Sequence, residues 1–413
     1  MSLNRTIAKY YLGTSIFSLG ALGLWIPSGY SIGAVALLLG SLAIILLNGR
    51  PRLSFGQVMI IAAIAAYSLI WMADGIVRGN GVRDMDQASR FLFAVPVILA
   101  VSKVRPPLPL VWIGCGIGGF GALSIAAYQV YIEELPRASG FIGPEPFGNI
   151  SSLLAGLSLL GAVWFYVQHG YRHYAVINFL GGGAALAALV LSGTRASWLA
   201  FIVMAGLIIL SAWREMEDTR LPKFMCVVFL SLAALLSTLD SSIRDRVIET
   251  YADISGYSDN RVEPQSVGKR FELWKGSLIL FLERPLLGWG NDAFGPEIQR
   301  LASINIVDEN IGMPNHAHNE MIDALAKKGI VGFFFLVLVY FVPALFFLRL
   351  FLLAHGSDAR ILAASGFLLV TNFVFYGMAH AGLENNAGVM NYAFWLAVFA
   401  GCSHEGPRSV SRG

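Results

Sequence analysis

The residues best equipped for chemistry lie in one short stretch, PNHAHNEMIDALAKKGIVG, at positions 314–332. It offers His316, His318, Asn319 and Glu320 within five positions. Imidazole is the side chain best suited to accept a proton near neutral pH, so the stretch reads first as the seat of a general base. Asn315 is placed to cap a helix running through Met321, Ile322 and Leu325, with Gly329 as a break before an apolar run. On that helix His316 and Glu320 share a face, and His318 points about 200° away from His316. An extended backbone would instead put both imidazoles on one side, as a metal site requires. No cysteine or third histidine lies nearby in the sequence, so no metal is expected. A purely structural histidine at a helix start is the third reading. The base leads.

A base needs an electrophile, and the arginines suggest an anionic one. Arg195 sits in SGTRAS (192–197), where the chain turns back into an apolar run within a few residues. Charge inside hydrocarbon costs roughly 2.5–3.5 kcal/mol on insertion scales, so such a residue faces a cavity, a partner or the headgroup layer. Arg270 and Trp274 lie one turn apart in KRFELWKGSLILFL (269–282). Phe271, Trp274, Leu278 and Leu282 recur there at helical spacing, which predicts an amphipathic helix on a membrane surface, stopped by Glu283-Arg284-Pro285. GWGNDAF (288–294) follows as a glycine-rich turn. Arg90, after Asp86, opens a further apolar run. For each arginine the plain alternative is snorkelling to lipid headgroups. The sharper one is a two-point grip on phosphate.

The elements that must position these groups are membrane helices. Hydrophobic residues make up 56% of the 413 and charged residues only 13%, and mean hydropathy is +0.65. Apolar runs of roughly 18 residues or more cross a bilayer core about 30 Å thick. The expectation is an all-α polytopic membrane protein with about twelve spans: 6–26, 31–47, 55–73, 88–101, 109–131, 149–168, 174–191, 196–212, 222–239, 330–348, 361–378 and 386–402. Three parts follow: spans one to nine in 1–239, a long polar loop with helices in 240–329, and three spans with a tail in 330–413. Basic residues concentrate in alternate connections, among them Arg50, Arg52, Lys103, Arg105, Arg172, Arg214 and Arg349. The positive-inside bias puts that set and both termini in the cytoplasm, and the 240–329 loop outside. Cys115, Cys226 and Cys402 lie in apolar runs, so no disulfide framework is implied. The first run lacks a small-residue cleavage site. The net charge of +3 gives no argument for nucleic acid.

Five pieces, in order, resemble the O-antigen ligase and polymerase superfamily of bacterial envelope glycosyltransferases. They are SRFLFAVPVIL (89–99), PFGNISSLLAG (146–156), LSGTRASWLAF (191–201), GKRFELWKGSLILFLERPLLGWGNDAF (268–294) and HAHNEMIDALAKKGIVG (316–332). Lys327 stands where that family often has glutamate. The resemblance implies a GT-C-like membrane fold, a glycan donor on undecaprenyl diphosphate, no cofactor and no required metal. In a ligase the acceptor would be lipid A–core, joined on the periplasmic face of the inner membrane. It also implies functional roles for Arg195, Arg270 and His318. Arg90, His316, Asn319, Glu320 and Trp274 are expected around the substrate, with Asn319 or Glu320 orienting the imidazole and His316 as the alternative base. Besides the ligase, a polymerase joining lipid-linked repeats and a protein-glycosylating transferase are open. A transporter of lipids or small molecules is the rival from another class, but its ionisable residues would sit near mid-membrane.

Overall fold

The computed structural model describes residues 4–79, 82–168, 171–216 and 266–403. Thirteen α-helices and two short 3-10 turns make up the regular structure there, with no strand among the described residues. The helices are α1 (Arg5–Ala21), α2 (Gly29–Asn48), α3 (Phe55–Arg78), α4 (Val82–Val104), α5 (Leu108–Tyr131), α6 (Pro144–Val167), α7 (Arg172–Ser192) and α8 (Arg195–Glu215). They continue with α9 (Ser266–Glu283), α10 (Asn291–Ser303), α11 (Glu320–Leu353), α12 (Ser357–Gly377) and α13 (Asn386–Cys402). Eleven of the twelve expected spans coincide with a helix. The ninth, 222–239, lies outside the described residues, as do Cys226 and the first part of the polar loop.

Nine of these helices are long and apolar enough to cross a membrane. The chain is an all-α, multi-pass membrane protein. α1 and α13, at 17 residues each, are at the short end of the spanning range. Helix starts follow local chemistry. Ser54 and Gln57 form a capping box at the head of α3. α6 begins five residues before the expected 149, because Gly143 turns the chain and Pro144 suits the first helical position.

α6 is the buried centre of the bundle, with 89% of its apolar window covered. Among apolar helices in lipid, close packing substitutes for the hydrophobic drive, and small residues permit it. α5 shows how: Gly114 and Gly118 lie against the backbone of α1 at Phe17 and Gly20, while Gly119 meets Gly181 of α7.

At one end of the bundle a second hydrophobic core forms outside the first. Leu273 and Leu280 of α9, Phe294, Ile298 and Leu301 of α10, and Val307 are buried together with Ala317 and Ala326. The outer face of α9 differs from the expected one. Leu278 and Leu282 point outward and exposed, joined by Leu286 and Leu287, while Glu272, Leu273, Ser277 and Leu280 pack inward. The apolar residues therefore occupy two faces, one on the cap's own core and one left for a surrounding medium.

Gly329 breaks α11 in two, at φ 62° and ψ −166°. The break lets the 285–290 turn lie along the helix: Trp289 N–H donates to Ala326 and Ile330 N–H donates to Pro285. An added Cβ at Gly329 would run into the Leu286 carbonyl, besides needing a left-handed backbone. Gly329→Ala is expected to cost about 1–3 kcal/mol and to lower the thermal midpoint in detergent. Gly183→Ala, on an exposed face of α7 with open space around it, serves as the silent control. Equal midpoints for the two variants would refute the strained junction.

Candidate active site

The histidine segment is not helical. α11 starts at Glu320 with Asn319 as its cap, accepting from the N–H groups of Met321 and Ile322, so the expected cap at Asn315 is corrected by four residues. Residues 314–319 form a folded loop instead, and His318 adopts a left-handed backbone at φ 53°. Non-glycine residues hold that conformation only when their surroundings enforce it. Here three contacts do. The Trp274 indole donates to the Ala317 carbonyl at 3.0 Å, the Ala317 N–H donates to Asp323 at 2.7 Å, and the Lys327 ammonium donates to the Asn315 carbonyl at 2.7 Å. Ala317 is fully buried, so the two histidines on either side of it are turned to the same side.

The anchor of this loop is Lys327 itself. Its ammonium is 1% exposed and lies 2.8 Å from Asp323 and 2.6 Å from Glu384. Glu384 sits on the 3-10 turn Gly382–Glu384, so one cation ties the loop, α11 and the α12–α13 connection together. That cation holds the Glu384 carboxyl well below its ordinary range, against the burial that would raise it. Lys328 reinforces the corner from the other side, 3.6 Å above the Trp71 ring of α3. Arg78 at the end of α3 binds the Leu287 carbonyl at 2.6 Å and closes the ring of contacts.

The folded loop changes the histidine geometry. His316 and His318 do not diverge; their rings stand edge to face with centroids 4.3 Å apart. A third imidazole joins them, His380, at 4.8 Å from His316 and 5.9 Å from His318. The expectation that no further histidine is near held along the chain and fails in space. Burial pushes His318 down to about 4, helped by His316 and Arg270. It pushes His380 to about 3, with His316, His318 and Arg270 adding to it. His316 is lowered as well, by burial and then by Lys327. All three rings are therefore neutral at pH 7 and able to accept a proton or a cation.

The arginines reach the same place. Burial lowers the Arg270 guanidinium, Arg195 lowers it further, and Glu145 opposes them. Arg195 opens α8 at the SGTR turn, where Gly193 at φ 64° closes α7. That turn is fixed from α6 and the 132–143 loop. Arg137 donates to the Ser192 carbonyl at 2.7 Å and pairs with Glu145 at 2.9 Å, while the Thr194 hydroxyl donates to the Pro144 carbonyl at 2.9 Å. His318 also senses Glu145, so the carboxylate, the two arginines and the imidazoles share one field.

Other expected site residues take other work. Trp274 and Asn319 hold the loop, and the Asn319 amide donates onward to Met378, next to His380. Glu320 does not orient an imidazole: it is buried, accepting from the Tyr340 hydroxyl and the Leu383 N–H, each at 2.6 Å. Arg90 pairs with Asp86 and reaches the Asn386 carbonyl at 3.3 Å, which puts it at the base of α13. The sequence reading missed Glu145, Arg137, Asp323, Glu384 and His380. A signal existed for the acids: Lys327 is followed by a second lysine in an otherwise apolar surround, and buried cations demand partners.

Removing one partner of a buried ion cluster typically costs about 3–5 kcal/mol. Lys327→Met leaves two carboxylates and the Asn315 carbonyl without their cation. It is expected to lower the thermal midpoint and to open the 314–319 loop to limited proteolysis, whereas Lys275→Met, on the exposed face of α9, changes neither. An unaltered cleavage pattern would show that the loop stands without the lysine.

Comparison with known proteins adds an independent line. A family described as O-antigen ligase matches residues 180–337, from the middle of α7 through the SGTR turn, α9 and the histidine loop. An uncharacterized protein of Haemophilus influenzae is 24% identical over 375 residues, covering 89% of this chain and 92% of the relative. An O-antigen ligase of Escherichia coli is 26% identical over 230 residues, covering 52% of each chain. Over residues 180–337, the stretch that carries the SGTR turn, α9 and the histidine loop, the chain is therefore similar to the O-antigen ligase family.

Proposed function

We propose that this protein transfers a glycan from undecaprenyl diphosphate to a sugar hydroxyl of lipid A–core, on the periplasmic face of the inner membrane. The observation that carries the reading is convergence: Arg270 feels the charge of Arg195 and itself acts on His318, so three separated stretches are linked through it. The alternation of basic connections supports a periplasmic site and cytoplasmic termini.

In this reading Arg195 and Arg270 grip the donor diphosphate. Each supplies parallel N–H donors to phosphate oxygens, and together they stabilise the charge that builds as the group departs. His318 takes the proton of the acceptor hydroxyl as that oxygen bonds to C1 of the donor sugar. The C1–O bond to phosphate breaks, its electron pair leaves with the lipid diphosphate, and direct displacement inverts the anomeric centre. Burial holds His318 at about 4, and the fields of His316 and Arg270 add to it. A bound diphosphate offsets that positive field and makes the imidazole a stronger base when the substrate is present. No metal has a step in this scheme. His316 stands beside His318 as the alternative base, and Trp274 supports the loop that carries both.

Four outcomes test it. In reconstituted membranes His318→Ala abolishes transfer of lipid-linked glycan to core, and His316→Ala is milder; the reverse order moves the base to His316. Arg195→Lys and Arg270→Lys each lower transfer by about tenfold or more, a barrier change of roughly 1.4 kcal/mol. Arg300→Lys, an exposed residue paired with Glu283 and Glu297, is near-silent. Near-normal rates for both motif lysines would return those arginines to the snorkelling class. Transfer also persists in excess chelator. In a deletion strain, full-length lipid-linked polymer beside bare core marks a ligase, and single repeats on core mark a polymerase instead.

A further inference from the structure

The three imidazoles form a cluster that transfer does not need in full. Among the described residues His316, His318 and His380 are the one group of metal-competent side chains, their ligand atoms all within 4.8 Å of one another. Two of them come from the loop before α11 and the third from the connection after α12, more than sixty positions later, so the grouping is a product of the fold. The Nδ1 atoms of His316 and His318 are buried without a hydrogen-bond partner among the described residues. We propose that His316, His318 and His380 bind a divalent transition-metal ion of the zinc and copper class, and that occupancy withdraws His318 from chemistry and arrests the protein.

The geometry is one small motion from a closed site. Imidazole nitrogens bind zinc at about 2.0–2.1 Å, which spaces tetrahedral ligands about 3.3 Å apart. The cluster must tighten by about 1.5 Å or less. Side-chain rotation on the 314–319 loop supplies that while Ala317 stays clamped on both its N–H and its carbonyl. Three neutral imidazoles with no thiolate suit zinc or copper rather than magnesium or calcium, which prefer oxygen. The local field is mixed. Glu145 and Glu384 favour a cation, Arg270 and Lys327 oppose it, and the Lys327 charge is already matched by Asp323 and Glu384. The result is a reversible site rather than a structural one.

The binding half stands without any assumption about the reaction; the inhibitory half rests on the transferase reading. The test uses full-length protein without a polyhistidine tag, with zinc chloride titrated calorimetrically and against a chromogenic chelator. One equivalent is expected, weakened at least tenfold by His316→Ala and by His380→Ala, and unchanged by His173→Ala or His355→Ala. His380→Gln, close in size, guards against a packing defect and is expected to weaken binding equally. In the transfer assay zinc stops the wild type, chelator restores it, and His380→Ala loses the zinc effect relative to its own zinc-free rate. No bound zinc, or undiminished binding in the His316→Ala, His380→Ala double variant, overturns the site. Stoichiometric zinc at these histidines with undiminished transfer overturns the arrest. Protein that binds zinc there but transfers no glycan even without it would overturn the proposed function and leave the site standing.

Discussion

Everything at the polar end of the bundle depends on one buried ammonium. Lys327 satisfies Asp323, Glu384 and the Asn315 carbonyl at once, and no water is needed to complete its three donors. Burying a lone cation is prohibitive; burying one that saturates its donors on three segments makes a joint. The segments joined are those that present His316 and His318 on one side and His380 on the other. Asp323 spends its second oxygen on the Ala317 N–H, so the charge knot also sets the backbone of the histidine loop. A left-handed His318 is affordable because the knot and Trp274 leave the loop no alternative.

A second constraint comes from glycine at the seam between membrane helix and cap. Gly329 interrupts α11 and lets the 285–290 turn donate directly to the backbone of residues 326 and 327. Gly288, also left-handed, passes against the Lys327 carbonyl where a side chain would collide. The same few residues thus place the lysine side chain inward and fit the turn against its backbone. The cap core of Leu273, Leu280, Phe294 and Ile298 then fixes α9, and with it Arg270.

The sequence was legible where periodicity and composition speak, and opaque where distant segments meet. Long apolar runs gave every span that the structure describes, because a helix in lipid must satisfy its own backbone. Gly329 was readable as a break, and the GWG turn as a turn. The cap of α11 was misread because Asn315 and Asn319 are equally good caps in isolation; Trp274 and Lys327, acting through Ala317 and Asn315, decide between them. The false helix hid the pairing of His316 with His318. His380 was invisible because nothing in the residues around it marks proximity to a loop sixty positions earlier. Glu320, adjacent to the histidines in sequence, was credited with orienting them, yet helical geometry turns it inward to Tyr340. Family likeness pointed to Arg195, Arg270 and His318, and it said nothing of Glu145 and Glu384, which lie outside its motifs.

In the proposed reaction Arg195 and Arg270 hold the donor and His318 handles only the proton, and equilibrium binding of the donor separates these roles. Purified protein in lipid discs, titrated with undecaprenyl-diphosphate-linked glycan in the absence of acceptor, gives the affinity directly. Arg195→Lys and Arg270→Lys are predicted to weaken it about tenfold each, while His318→Ala binds as the wild type does. Wild-type affinity in both arginine variants, or loss of donor binding in His318→Ala, would contradict that proposed division of labour.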